Sequence, residues 1–173
     1  MPLSAVDPAR YGELLSEKSA RVTAMLAPYS PPAPSVYPSA PTGFRMRAEF
    51  RMWHEGDDLD FVMFRRDDRA TPVPIDQCPI GCERIQQLMP ELKQSLRGNP
   101  ALRRKLFQVE FLSTLAGDTL ATLIYHRKLD EEWQSAASAL ATKLQVSIVG
   151  RSRKQKLGVG ETYVRVILTV QDR

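Results

Sequence analysis

From Phe44 to Trp53 apolar and charged positions alternate strictly. Phe44, Met46, Ala48, Phe50 and Met52 fall on one side of an extended chain, and Arg45, Arg47, Glu49, Arg51 and Trp53 on the other. A period of two predicts a half-buried strand with Phe50 inside and Arg51 outside. "HEGDD" carries turn chemistry and "LDFVMFRR" returns as a second strand, so residues 44–66 read as a hairpin. Upstream, residues 8–27 read as a helix started by Asp7-Pro8, with Tyr11, Leu14, Leu15, Val22, Met25 and Leu26 on one stripe. Residues 28–43 are rich in proline, which fixes φ and removes donors, and are expected to form an extended connector. A proline-rich ligand for a partner domain is the rival reading of that stretch.

Beyond the hairpin, "DDRATPVPIDQCP" reads as loop with a short extended piece. Residues 80–96 repeat at helical period through Ile85, Leu88, Met89, Leu92 and Leu96, with a break or kink expected at Pro90. "KLFQVEFLSTL" and "TLATLIYHRKL" flank "AGD" as a second hairpin. Asp130 is placed to cap a helix whose stripe is Trp133, Ala136, Ala137, Leu140, Ala141 and Leu144. "VSIVG" is a strand, and "TYVRVILTV" predicts a last one with Val164, Val166, Leu168 and Val170 on one side. The predicted class is α+β: a mostly antiparallel sheet with packed helices in ββα-ββα-β order, preceded by the N-terminal helix and connector. Residues 1–43 form the extension and 44–173 the domain.

The chain has 173 residues and a net charge of +4, so a basic surface is permitted but not demanded. No apolar run reaches the length of a membrane span and the first residues lack a signal peptide's pattern, so a cytoplasmic protein with no membrane partner is expected. Cys78 and Cys82 are the only cysteines, and a zinc site would need both histidines, His54 and His126, to converge on them. Two ordinary thiols are the simpler reading. "GVG" near Gly158 lacks the strand-to-helix context of a phosphate loop, and no catalytic group can be singled out.

The basic and aromatic features carry more. Arg103, Arg104 and Lys105 precede Phe107; Arg127 and Lys128 follow His126; Arg151, Arg153, Lys154 and Lys156 cluster after the "VSIVG" strand. With Arg45, Arg47 and Arg51 they are candidate phosphate contacts. Phe107 stands at the beginning of a strand, where its ring either packs in the core or stacks on an unpaired base. From its residues alone His126 reads first as an ordinary surface histidine.

"FRMRAEFRMWHEGDDL", "NPALRRKLFQVEFLSTL", "LIYHRKLDEEW" and "VGRSRKQKL" closely resemble the N-terminal part of the TrmA-type tRNA (uracil-5-)-methyltransferases. The resemblance implies an RNA-binding domain that helps to hold the T-arm of tRNA, with no DNA partner. It puts an RNA-contacting arginine at Arg51, a base-stacking phenylalanine at Phe107 and a histidine at His126. It implies S-adenosylmethionine as the methyl donor in the full-length family, with the catalytic cysteine and carboxylate in a C-terminal domain beyond Arg173. This chain alone is therefore expected to be a fragment or truncated product that neither binds the cofactor nor methylates. Cys78 and Cys82 do not match the catalytic cysteine's context, and an acidic residue is expected where Val166 or Ile167 stands. The alternative is a stand-alone protein-interaction domain that keeps the fold without the chemistry, its connector being the partner site.

Overall fold

The alternating stretch becomes strand β1 (Arg47–Glu55) of a computed structural model that describes residues 6–168. It turns through Gly56, whose positive φ of 60° suits glycine, onto β2 (Asp58–Met63). Then follow β3 (Val73–Pro74), α2 (Glu83–Arg97), the single turn α3 (Pro100–Arg103), β4 (Leu106–Ser113), β5 (Thr119–Tyr125), α4 (Glu131–Leu144), β6 (Ser147–Ser152) and β7 (Gln155–Val159). An N-terminal helix, α1 (Tyr11–Leu26), precedes them all. The strands make one sheet in the order β3-β2-β1-β4-β5-β6-β7. Every pairing is antiparallel except β5 with β6, which α4 connects by a crossover. The class is α+β, as the periodicities predict.

One face of the sheet is covered by helices. α2 contributes Ile85, Leu88, Met89, Leu92 and Leu96, all buried, and α4 contributes Trp133, Ala137, Leu140 and Leu144. Phe50, Phe61 and Phe111 meet beneath them with ring centroids 5.5–6.3 Å apart. Burying each such side chain contributes about 1.5–3 kcal/mol, which makes this layer the main stabilising term. Asp130 caps α4 by accepting a hydrogen bond from the Trp133 amide at 2.9 Å. The Trp133 indole lies where a side chain on Gly150 would be: a Cβ there would stand 2.3 Å from its ring.

Four expectations need correction. α2 runs unbroken through Pro90; the hydrogen bond that proline removes belongs to its exposed face, while the buried stripe holds both halves down. α1 forms over the expected residues, but its apolar stripe buries nothing, and Met25 is 68% exposed. The last predicted strand is absent among the described residues: 161–168 hold no strand and Ile167 and Leu168 face solvent, while Val170 lies outside them. Its place in the order is taken by β7, because the basic run turns tightly at Lys154 (φ 66°) and pairs back on β6. With β3 and α3 added, the simple ββα-ββα-β order becomes βββ-αα-ββ-α-ββ.

Candidate nucleic-acid interface

The second face of the sheet is open at β1, and its chemistry follows from strand phase. Phe50 and Met52 face the helices at 4% and 6% exposure, so Arg51 and Trp53 must face outward, and both are exposed. β4 is subtler. Val109, Phe111 and Ser113 are buried, and strict alternation would bury Phe107 with them. The β4–β5 register slips between Leu106 and Gln108, so Phe107 is the extra residue of a bulge. Leu106 takes the core position at 1% exposure and Phe107 is turned to the open face. His54 supports this irregularity. The β1–β4 ladder ends at Arg51 and Gln108, and beyond it the His54 Nε2–H donates to the Leu106 carbonyl at 2.7 Å.

The bulge brings three predicted residues together. The Arg51 guanidinium lies 3.9 Å from the centre of the Phe107 ring, and the His126 ring stacks on Phe107 with centroids 4.1 Å apart and planes 26° from parallel. Arg51 comes from β1 and His126 follows the end of β5, the strands on either side of β4, so Phe107 is sandwiched between them. The His126 amide donates to the Lys105 carbonyl at 3.0 Å, which fixes the third layer to the start of β4. Such contacts are worth about 0.5–1 kcal/mol each at exposed sites, enough to align three flat groups but not to lock them. A base can extend this stack on an end layer or replace one.

Around the sandwich the basic residues sort into two kinds. Arg51, Gln108, Ile124, Arg151 and Lys156 are cross-strand partners in one row from β1 to β7, so Arg151 belongs to the same face as Arg51. Three strand spacings separate them, roughly 14 Å. Arg153 and Lys154 share a hollow with His126 and Lys128 at the tip of the β6–β7 hairpin. Arg45 and Arg47 are not brought to the stack; they line a separate hollow beside Cys78 and Ile80, and Arg47 pairs with Glu49 at 3.2 Å. Arg127 is a structural clamp, bonded to the carbonyls of Arg104, Lys128 and Ala101, and its side chain is 8% exposed. Arg103 is likewise engaged, by Asp57. The residues that the sequence reading passed over are Trp53, Arg65, Arg66 and Arg69, which line a groove with Arg51 and Phe107.

Acidic charge stands on the open face at the cross-strand partners Glu49 and Glu110, and a further group lies against α2. Lys93 on α2 holds Asp60 at 3.0 Å and Asp76 at 2.9 Å, and Arg97 engages Asp58. The hydrogen bond from Lys93 and its charge keep the Asp76 carboxyl below its ordinary range. Among the described residues no group of three or more potential ligands is arranged to hold a metal, and Cys78 and Cys82 are buried free thiols. No described helix is long and apolar enough to cross a membrane.

The family model for tRNA (Uracil-5-)-methyltransferase matches residues 10–173. The chain belongs to that family. It is 50% identical over 177 residues to a tRNA/tmRNA (uracil-C(5))-methyltransferase of Chromohalobacter salexigens, covering 100% of this chain and 48% of the relative. A relative of the same description from Azotobacter vinelandii is 51% identical over 173 residues, with 100% and 48% covered. The chain thus spans about half the length of the curated relatives it matches. Among solved structures, the Pyrococcus abyssi tRNA (uracil-54, C5)-methyltransferase in complex with S-adenosyl-L-homocysteine aligns over 90% of this chain and 38% of its own, with a TM-score of 0.51 and 15% identity. At that identity the likeness establishes the fold alone.

Proposed function

We propose that this chain is the RNA-holding platform of a tRNA (uracil-C5)-methyltransferase, and that its open face grips the T-arm of tRNA in the cytoplasm. The observation that carries the reading is the Arg51–Phe107–His126 sandwich, which a bulge presents on a face where Arg151 and Lys156 lie in register. Flat groups offered beside unpaired cations suit single-stranded loop RNA, where bases are free to stack and phosphates are close. Methyl transfer from S-adenosylmethionine to uracil C5 is assigned to the part of the family's length that this chain does not span. "GVG" supplies no phosphate cradle: Gly158 and Val159 end strand β7, no helix starts after them among the described residues, and a Cβ on Gly158 would meet Thr162 at 2.6 Å.

The test is titration of a labelled T-arm hairpin with this chain at several salt concentrations. With about four phosphate contacts, log K should fall against log salt with a slope of about −3 to −4. Phe107→Ala should cost roughly 1–3 kcal/mol at every salt. Arg51→Ala should flatten the slope by about one unit. A slope near zero that neither substitution changes would favour the protein-interaction reading, for which the exposed Tyr29 and Tyr37 of the proline-rich connector are the partner surface.

A further inference from the structure

The groove beside the sandwich has chemistry of its own. The loop 64–72 joins β2 to β3 and is anchored by the pairs Val62–Pro74 and Met63–Val73. Asp68 shapes its tip by accepting from the amides of Ala70 at 2.9 Å and Thr71 at 3.1 Å. Folded this way, the loop sets Phe64, Arg65, Arg66 and Arg69 around a groove of about 710 Å³ whose other wall is Arg51, Met52, Trp53 and Phe107. Among the described residues none of Arg51, Arg65, Arg66 and Arg69 has a carboxylate within ion-pair distance, whereas Arg47, Arg97, Arg103 and Arg127 all do. Asp67 and Asp68 lie in the same loop; the Asp68 carboxylate, bonded to backbone amides, acts on Arg65 by charge from beyond ion-pair distance and leaves Arg66 and Arg69 without a carboxylate partner among the described residues. Trp53 is 44% exposed on the same wall, held outward by the burial of Met52.

We propose that this groove is a second nucleotide subsite: it takes the neighbouring nucleotide of the RNA strand whose base meets the Phe107 sandwich, with its phosphate on Arg65, Arg66 and Arg69 and its base on Trp53. The inference rests on the RNA reading above and extends it. Continuity supports it, because Arg51 and Phe107 belong to both the sandwich and the groove wall. Chemistry supports it as well. Guanidinium forks match a phosphate's oxygens in two-pronged geometry, and an indole face is a stacking platform that accepts any base. Several unpaired like charges around one hollow repel each other, and a bound anion relieves that repulsion.

The experiment uses the whole chain and a T-arm hairpin RNA, read by anisotropy and by tryptophan fluorescence. Trp133 is fully buried, so ligand-dependent quenching reports on Trp53. The unaltered chain should show quenching that saturates with binding. The triple variant Arg65→Ala, Arg66→Ala, Arg69→Ala should bind about tenfold more weakly at low salt and lose about two units of salt slope. The triple Arg→Lys variant should restore most of the slope but not all of the affinity, because charge survives and the fork does not. Trp53→Ala should lose about fivefold or more at every salt and abolish the quenching. If Phe107→Ala weakens binding while the triple Ala variant and Trp53→Ala bind like the unaltered chain, the groove is not a subsite although the RNA reading stands. If the unaltered chain binds no hairpin, both fall. Saturating quenching by a glutamate-rich peptide where RNA produces none would overturn the proposal in favour of an acidic protein partner.

Discussion

A single inserted residue decides what β4 offers to solvent. Without the slip between Leu106 and Gln108, Phe107 would enter the core and Arg51 would have no ring to cover. His54 is the strut that holds this irregularity where the ladder has ended. His54→Ala should therefore cost about 1 kcal/mol of stability by urea titration and weaken hairpin-RNA binding severalfold, through a residue that lies outside the sandwich. Unchanged affinity would mean that the bulge holds itself. Arg51 was legible in the sequence because strict alternation over β1 leaves it only one direction. Phe107 was not, because alternation and bulging predict opposite faces for the same letters, and only pairing with β5 selects between them. Arg65, Arg66 and Arg69 were passed over because a loop's course depends on the strands that anchor it. The resemblance supplied three residue positions, and the fold supplies the reason that they touch.

Elements with a strong period formed where expected, and those that needed a partner did not always find one. α4 combines both requirements: a buried stripe and a polar start. The hydrogen bond from the Trp133 amide, with the charge of Arg127 nearby, holds the Asp130 carboxyl below its ordinary value of 3.8. A carboxyl depressed on folding stabilises the fold above its unfolded value, and that contribution is lost as pH falls through the folded value. Melting temperature should thus fall as acid is added below about pH 4. Asp130→Ala should lower it by about 2–4 °C at neutral pH and remove this share of the acid dependence. An unchanged acid limb would place the sensitivity at other carboxylates, Asp76 first. The strand expected after residue 161 shows the other side of the rule. "TYVRVILTV" has ideal strand composition, but β7 already occupies the place beside β6. β7 itself was illegible because Gly158 and Gly160 interrupt Leu157 and Val159, leaving too little alternation to read.

At the scale of the molecule, the sheet with its helical layer is one body, and α1 belongs to the extension that precedes it. The small α1 residues Ser16, Ser19, Ala20 and Thr23 line a shallow hollow with Leu15 and Val36, Tyr11 meets Ser39 at 3.2 Å, and no residue of the helix is buried. A chain beginning at Thr42 keeps the hydrogen bonds from Gly43 and Arg45 to Pro79 and Ile80, and should melt within about 2 °C of the whole chain, as expected for changes confined to the surface. A large drop would show that the connector braces the sheet. Within the body, the antiparallel pairs are not equivalent. β1 with β2, β2 with β3, β4 with β5 and β6 with β7 are each neighbours in sequence, and close locally. β1 and β4 are separated by β2, β3, α2 and α3, so their union closes the longest loop among the antiparallel pairs. Arg51 stands on one bank of that seam and Phe107 on the other. The platform comes into being only when the two banks meet, and under the proposed function a strand of RNA lying across both would tie them together, so that letting go of the ligand and coming apart as a fold would become linked events.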